Sequence, residues 1–267
     1  MYQFNYHKAS SVADAAGKLA ANGEARLLAG GQTLIATMKL RLASPSDLVD
    51  LRGIPELRGI KVDGAGITIG AMTTHAEVAA SRDVLKVIPA LAHLAAEIGD
   101  PMVRNMGTLG GSVANNDPAA DYPAGVLGLG ATIQTNQRKL PADGFFTGIY
   151  ETALKPGEII TAISFPIPKR AGYAKFDNPA SRYAIVGVFV AETSAGVRVA
   201  VTGAAACVFR SADLEKALTS TFAPDAVASV KVSAAGLNSD LHASAEYRAH
   251  LVTVMAKRAL EAALSGK

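Results

Sequence analysis

The sequence predicts an α+β fold in three successive units, and three observations carry that reading. A strand, a glycine turn and a helix follow one another within the first fifty residues. A second unit opens near Ile60 and closes on an apolar strand before Pro166 and Pro168. Beyond Pro166-Ile167-Pro168-Lys169-Arg170-Ala171-Gly172, where two prolines and a glycine flank adjacent charges, two apolar β-like runs lead into helices. The units are placed at 1–56, 57–170 and 171–267.

In the first unit Ser10 or Ser11 caps a helix carrying Val12, Ala15, Ala16 and Leu19, with Asp14 answering the cap and Gly23 suited to end it. The strand Ala25–Ala29 runs into Gly30-Gly31-Gln32-Thr33, after which Leu34, Ile35, Met38 and Leu42 recur at helical spacing. Asp47–Leu51 reads as a further strand, ended by Gly53 and Pro55. In the second unit Gly64-Ala65-Gly66 joins the short strands Ile60–Val62 and Ile67–Ile69 in a hairpin. Thr74 with Glu77 forms a capping box, and Pro89–Ile98 is the clearest helix of this unit, which Pro101 cannot continue. From there to Ile133 the chain is rich in Gly, Asn, Asp and Ala without a clear period, and Glu158–Phe165 closes the unit as a strand. In the third unit Ala184–Ala191 and Val197–Ala204 pair through Glu192–Gly196, and helices follow at Asp213–Leu218 and Glu246–Leu264.

The composition is that of a soluble globular protein. The chain has 267 residues, 49% of them hydrophobic and 18% charged, enough apolar material for a substantial core. Its 26 basic against 23 acidic residues leave a net charge of +3, too small and too scattered for a nucleic-acid footprint. The single cysteine, Cys207, excludes a disulfide framework and any thiolate-rich metal or iron–sulfur site within the chain. The start, Met1 to Lys8, has no apolar core of signal-peptide length, and no run of about eighteen apolar residues suggests a membrane span. The expected compartment is the cytoplasm.

The most informative local features are Ala29-Gly30-Gly31-Gln32-Thr33 and Gly107-Thr108-Leu109-Gly110-Gly111-Ser112. Paired glycines let the main chain approach a ligand closely, and successive free N–H groups form a concave anion site. A helix beginning near Thr33 adds its N-terminal dipole, and the Thr33 hydroxyl adds a hydrogen bond. Two such turns converging on a diphosphate make physical sense. Neither is a Gly-x-Gly-x-x-Gly fingerprint between strand and helix, and no Gly-x-x-x-x-Gly-Lys occurs, so Rossmann and P-loop readings are disfavoured.

These two turns, with Asp117-Pro118-Ala119-Ala120-Asp121 and Pro179-Ala180-Ser181-Arg182-Tyr183-Ala184-Ile185-Val186-Gly187-Val188, stand in one order that resembles the FAD-binding medium subunit of the molybdenum hydroxylases, the xanthine dehydrogenase and carbon monoxide dehydrogenase family. The similarity spans almost the whole chain. It implies a PCMH-type (vanillyl-alcohol-oxidase-like) FAD fold of two α+β subdomains followed by a small C-terminal domain. By this resemblance Ala29, Gly30, Gly31, Gln32, Thr33 and Leu34 with Gly107, Thr108, Gly110, Gly111 and Ser112 hold the FAD diphosphate. Asp121 takes the ribityl or ring region, Ile159 or Ile160 matches an apolar residue beside the isoalloxazine, Ile98 sits near where the family places another, and Lys175 and Tyr183 match a polar and an aromatic position near the ring in some members. The partners implied are a molybdopterin-binding large subunit and a small subunit with two [2Fe–2S] clusters, in a dimer of heterotrimers, with this chain passing electrons from those clusters to an external acceptor. A self-standing flavoenzyme of the same superfamily is the rival, and a scaffold without cofactor is a third possibility that the intact glycine turns argue against.

Departures from the family pattern are Ser112 where many members have Asn and Asn115 where His is frequent. Cys207 alone excludes the variant with an extra iron–sulfur insertion. No catalytic acid, base or metal ligand is expected here. His7, His75, His93, His242 and His250 never fall at metal-ligand spacing and read as surface or capping residues. Ser112 fails the Gly-x-Ser-x-Gly frame at Ala114, Asp117 reads as a turn residue, and Cys207 as a small buried hydrophobe.

Overall fold

The computed structural model describes residues 1–64 and 66–266. Near the N-terminus come β1 (Asn5–Lys8), α1 (Val12–Ala21), β2 (Arg26–Leu28), α2 (Leu34–Lys39) and β3 (Asp47–Asp50). Helix α1 starts where Ser11 Oγ accepts the Asp14 N–H at 3.1 Å and Asp14 accepts the Ser10 N–H at 2.9 Å. It ends at Asn22, one residue before the expected Gly23. The helices let parallel strands pair in the order β1-β3-β2, burying Ala15 and Val49 with Leu51, Ile54 and Leu57. Leu42 falls outside α2 and is exposed.

The middle of the chain forms β4 (Ile60–Asp63), β5 (Gly66–Gly70), α3 (His75–Ala80), α4 (Arg82–Val87), α5 (Pro89–Ala96), α6 (Pro101–Met106), α7 (Leu109–Asn115) and α8 (Tyr122–Gly128). It continues with β6 (Thr132–Thr135), β7 (Lys139–Pro141), β8 (Phe146–Gly148), β9 (Glu151–Thr152) and β10 (Ile160–Pro166). The expected hairpin is β4 with β5, although its turn residue Ala65 lies outside the described residues. Five strands form an antiparallel sheet in the order β4-β5-β10-β6-β7.

The aperiodic stretch after Pro101 holds three short helices. Helix α5 ends at Ala96, short of the expected Ile98 and well before Pro101, which instead occupies the first turn of α6, where its missing N–H costs nothing. Thr108 caps α7 through the Gly111 N–H at 3.2 Å, and every residue of α8 is buried. Packing sets these helices against weak local propensity. A Cβ on Gly110 would fall 2.5 Å from the Ala71 Cβ, so only glycine lets α7 lie on the end of β5.

The last third comprises β11 (Arg170–Asp177), β12 (Ala184–Thr193), β13 (Gly196–Thr202), β14 (Phe209–Arg210), α9 (Ala212–Ser220), α10 (Pro224–Ala228) and α11 (Ala245–Ser265). Its four strands pair antiparallel in chain order. Residues of β12 alternate between two cores: Val186, Val188 and Val190 face Leu251, Val252 and Met255 of α11, whereas Phe189 and Ala191 join Leu91, Leu94 and Val126 of the middle unit. A strand covered on both faces reads as the unbroken apolar run seen in the sequence. The expected linker 166–172 shrinks to residues 167–169, because β11 already runs from Arg170 beneath α11 and a Cβ on Gly172 would lie 2.0 Å from Ala259 O.

Candidate functional site

The two glycine turns meet. A Cβ on Gly30 would fall 2.0 Å from Met106 O and 2.8 Å from Gly107 Cα, so the first turn lies directly on the main chain entering the second. Gly31 has φ +74, a left-handed conformation that glycine adopts without strain. Around this junction opens a cleft of about 590 Å³, within the range of small-molecule sites. Its walls include Ala29, Gly30, Gly31, Gln32, Thr33, Leu34, Ile98, Gly107, Thr108, Gly110, Gly111, Ser112, Asp121, Ile159, Ile160 and Tyr183. These are the residues singled out from the sequence, apart from Lys175.

The turns differ in the donors they offer. The N–H groups of Gly30, Gly31, Gln32 and Thr33 have no hydrogen-bond partner among the described residues, and Thr33 makes no side-chain capping bond. Helix α2 spans only six residues, so the free turn amides, more than a helix dipole, make the first turn anion-receptive. In the second turn the Leu109 and Gly110 N–H groups donate to Thr73 O and Ala71 O, while those of Gly111 and Ser112 are held by Thr108. That turn is chiefly a close-packed wall.

Lys175 is a correction. Its side chain is 1% exposed and does not line the cleft. The ammonium donates to Glu97 O at 2.6 Å and Arg182 O at 2.9 Å and pairs with Asp121 Oδ1 at 3.0 Å, engaging its three N–H donors. The same Asp121 oxygen accepts from Tyr173 OH at 2.6 Å. Burial raises the Asp121 carboxyl pKa, opposed by the Lys175 charge and the Tyr173 hydrogen bond. Lys175 therefore ties the end of α5, the start of α8 and the segment bearing Tyr183 together behind the cleft. Tyr183 itself precedes β12 and is half-exposed. Ile98 follows the end of α5, its carbonyl held by Arg104 at 3.1 Å. Ile159 and Ile160 are presented where β10 bulges, the loop being pinned by Asn136 on the Ile159 N–H and by the Arg138–Glu158 pair.

His75, Val103, Arg26, Asn115, Ser181 and Arg182 also line the cleft and were not singled out as contacts. The expectation that each histidine is a surface or capping residue fails at His75, which is 4% exposed. The one sequence signal near it was the capping box of Thr74 and Glu77, which places His75 at the start of α3. Asp117 fills its expected turn role, accepting the Ala119 N–H at 2.9 Å. Cys207 is only partly buried, contrary to expectation, and burial pushes its thiol pKa up. Among the described residues no helix is long and apolar enough to cross a membrane.

Known proteins share this architecture. Residues 2–168 match the family described as the FAD binding domain in molybdopterin dehydrogenase. The carbon monoxide dehydrogenase medium chain of Hydrogenophaga pseudoflava is 37% identical, covering 98% of this chain and 97% of its own length. The nicotine 6-hydroxylase medium subunit of Paenarthrobacter nicotinovorans is 35% identical over 96% of this chain and 95% of its own. Among solved structures, reconstituted carbon monoxide dehydrogenase from Oligotropha carboxidovorans superposes with a TM-score of 0.92 at 34% identity, covering 100% of this chain and 99% of that one. Quinoline 2-oxidoreductase from Pseudomonas putida 86 gives 0.89 at 30% identity, covering 99% and 98%. A family match over residues 2–168, with a shared fold over the full length at this level of identity, establishes that the chain belongs to the family of FAD-binding medium subunits of the molybdenum hydroxylases.

Proposed function

We propose that this chain binds FAD noncovalently in the 590 Å³ cleft and serves as the electron-exit subunit of a heterotrimeric molybdenum hydroxylase, an oxidoreductase. The observation that carries the reading is the junction of the two turns, where Gly30 leaves room for no Cβ against Met106 O. The residues present fit the group. Free amides of Gly30, Gly31, Gln32 and Thr33 suit a diphosphate, and Ile98, Ile159, Ile160 and Tyr183 offer an apolar and aromatic surface for a flat ring. Ser112 and Asp121 also line the cleft. The chemistry such a group supplies when bound is the exchange of one or two electrons at a time.

The chain's own residues bind, orient and shield. The latch of Lys175 on Asp121, Glu97 O and Arg182 O fixes the Tyr183 segment at the cleft. The partners are a molybdopterin-binding large subunit, where substrate is oxidised, and a small subunit whose two [2Fe–2S] clusters deliver electrons. The assembly is a cytoplasmic dimer of heterotrimers. The three units divide at 56/57 and 170/171. The chain purified with the products of its neighbouring genes should carry flavin absorption bands that bleach when substrate of the complex is added. Absence of flavin from that preparation would overturn the proposal.

A further inference from the structure

His75 lines the cleft and is 4% exposed. Its main-chain N–H donates to Gly107 O at 3.0 Å, and its ring lies 5.2 Å from the Tyr122 ring at 52°. Nδ1 is sealed from solvent with no hydrogen-bond partner among the described residues. The Nε2 edge lies on the second turn, where a Cβ on Gly107 would fall 2.5 Å from Nε2. A proton on Nδ1 would be an orphaned buried donor, and such donors are rarer and costlier than unpaired acceptors. The proton of the neutral ring therefore belongs on Nε2. Tyr122 on α8 packs against the ring, and Arg104 on α6, its guanidinium on Ile98 O and Gly99 O, acts on it by its charge. Burial, and then the Arg104 charge, push the imidazole pKa down to about 4.

We propose that His75 is a cofactor-binding residue of this chain, a neutral imidazole whose Nε2–H donates to a phosphate oxygen of the FAD diphosphate at the second glycine turn. The proposal rests on the FAD reading above. It adds a side-chain donor to a turn whose Leu109, Gly110, Gly111 and Ser112 amides are engaged within the chain, which leaves only the Thr108 N–H beside it without a partner among the described residues. A neutral imidazole held as a hydrogen-bond donor to a ligand oxygen is a known use of a depressed histidine pKa.

The test uses the full chain in the assembly in which it purifies, stripped of flavin and titrated by calorimetry with FAD and, separately, with ADP. His75→Phe keeps a planar ring against Tyr122 and removes both nitrogens, and His75→Gln restores an amide N–H near the Nε2 position. His75→Phe is expected to weaken FAD about tenfold or more, and ADP by the same factor. Its cofactor-free melting temperature should be unchanged or raised, because the orphaned Nδ1 is gone. His75→Gln should recover most of the affinity. Wild-type affinity should stay flat from about pH 6 to about pH 8, and nitrogen NMR should place the proton on Nε2.

Equal FAD affinity in folded His75→Phe would overturn the proposal, as would a loss seen with FAD but not with ADP. So would a wild-type affinity that tightens on acidification and flattens in His75→Phe, because the donor would then be an imidazolium. If His75→Phe does not fold, His75→Gln and the NMR decide. A wild-type assembly that takes up no FAD would sink the flavin reading instead, whatever the variants do.

Discussion

Gly30→Ala isolates the contact on which the cleft depends. Gly30 is not among the residues with positive φ, so alanine suits its backbone and the perturbation is purely steric. The added methyl would sit 2.0 Å from Met106 O, 2.7 Å from Met106 C and 2.8 Å from Gly107 Cα, all main-chain atoms with no side chain to swing aside. To reach ordinary contact the two turns must part by roughly 1 Å or more, at a cost of about 1–3 kcal/mol by analogy with overpacked cores. That displacement moves the free amides of residues 30–33 relative to the wall at 107–111, so flavin affinity should fall as well, by roughly a hundredfold, a loss comparable with the cost in stability. Urea unfolding measures the first quantity and flavin fluorescence quenching the second. Gly17→Ala is the control: Gly17 lies inside α1 with nothing within 4 Å of the added methyl, so the change should stabilise by about 1 kcal/mol and leave flavin binding untouched. A Gly30→Ala chain with wild-type stability and flavin content would refute the argument that the two turns jointly build the site.

Three further outcomes follow from the buried charges. Lys175→Met removes the cation beside Asp121 and should cost about 3–5 kcal/mol at neutral pH. Because burial already raises the Asp121 pKa above its ordinary value, this variant should regain stability as the pH falls and the carboxyl takes a proton, which a urea series against pH would show. Tyr173→Phe removes the 2.6 Å hydrogen bond to Asp121 and should cost about 1.5–3 kcal/mol by the same assay. Glu158 is held at a pKa of about 2, below its usual 4.5, chiefly by the Arg138 hydrogen bond against the cost of burial. Glu158→Gln should therefore lose about 3 kcal/mol at neutral pH, the difference from wild type shrinking as the pH falls from about 4.5 to about 2 in thermal melts.

Much of the fold was legible because its signals are local. The Ser11 and Thr74 caps are hydrogen bonds spanning three residues, and the unbroken apolar run of β12 follows from burial on both faces. The short helices α6, α7 and α8 were not legible. Their glycines, alanines and proline carry weak propensity, and neighbouring surfaces hold them in place, as Ala71 does at Gly110. Strand β11 was hidden in the same way, since the Pro166–Gly172 stretch looks like a linker until α11 covers it.

For the site, the sequence by itself determined which backbone can approach a ligand, because diglycine turns advertise their own freedom. Tertiary structure alone decided that residue 30 rests on residues 106 and 107, that Lys175 turns inward to Asp121 rather than toward the cleft, and that His75 is buried. Each of these depends on atoms far apart in the chain, where spacing carries no information and only packing sets distance and solvent access.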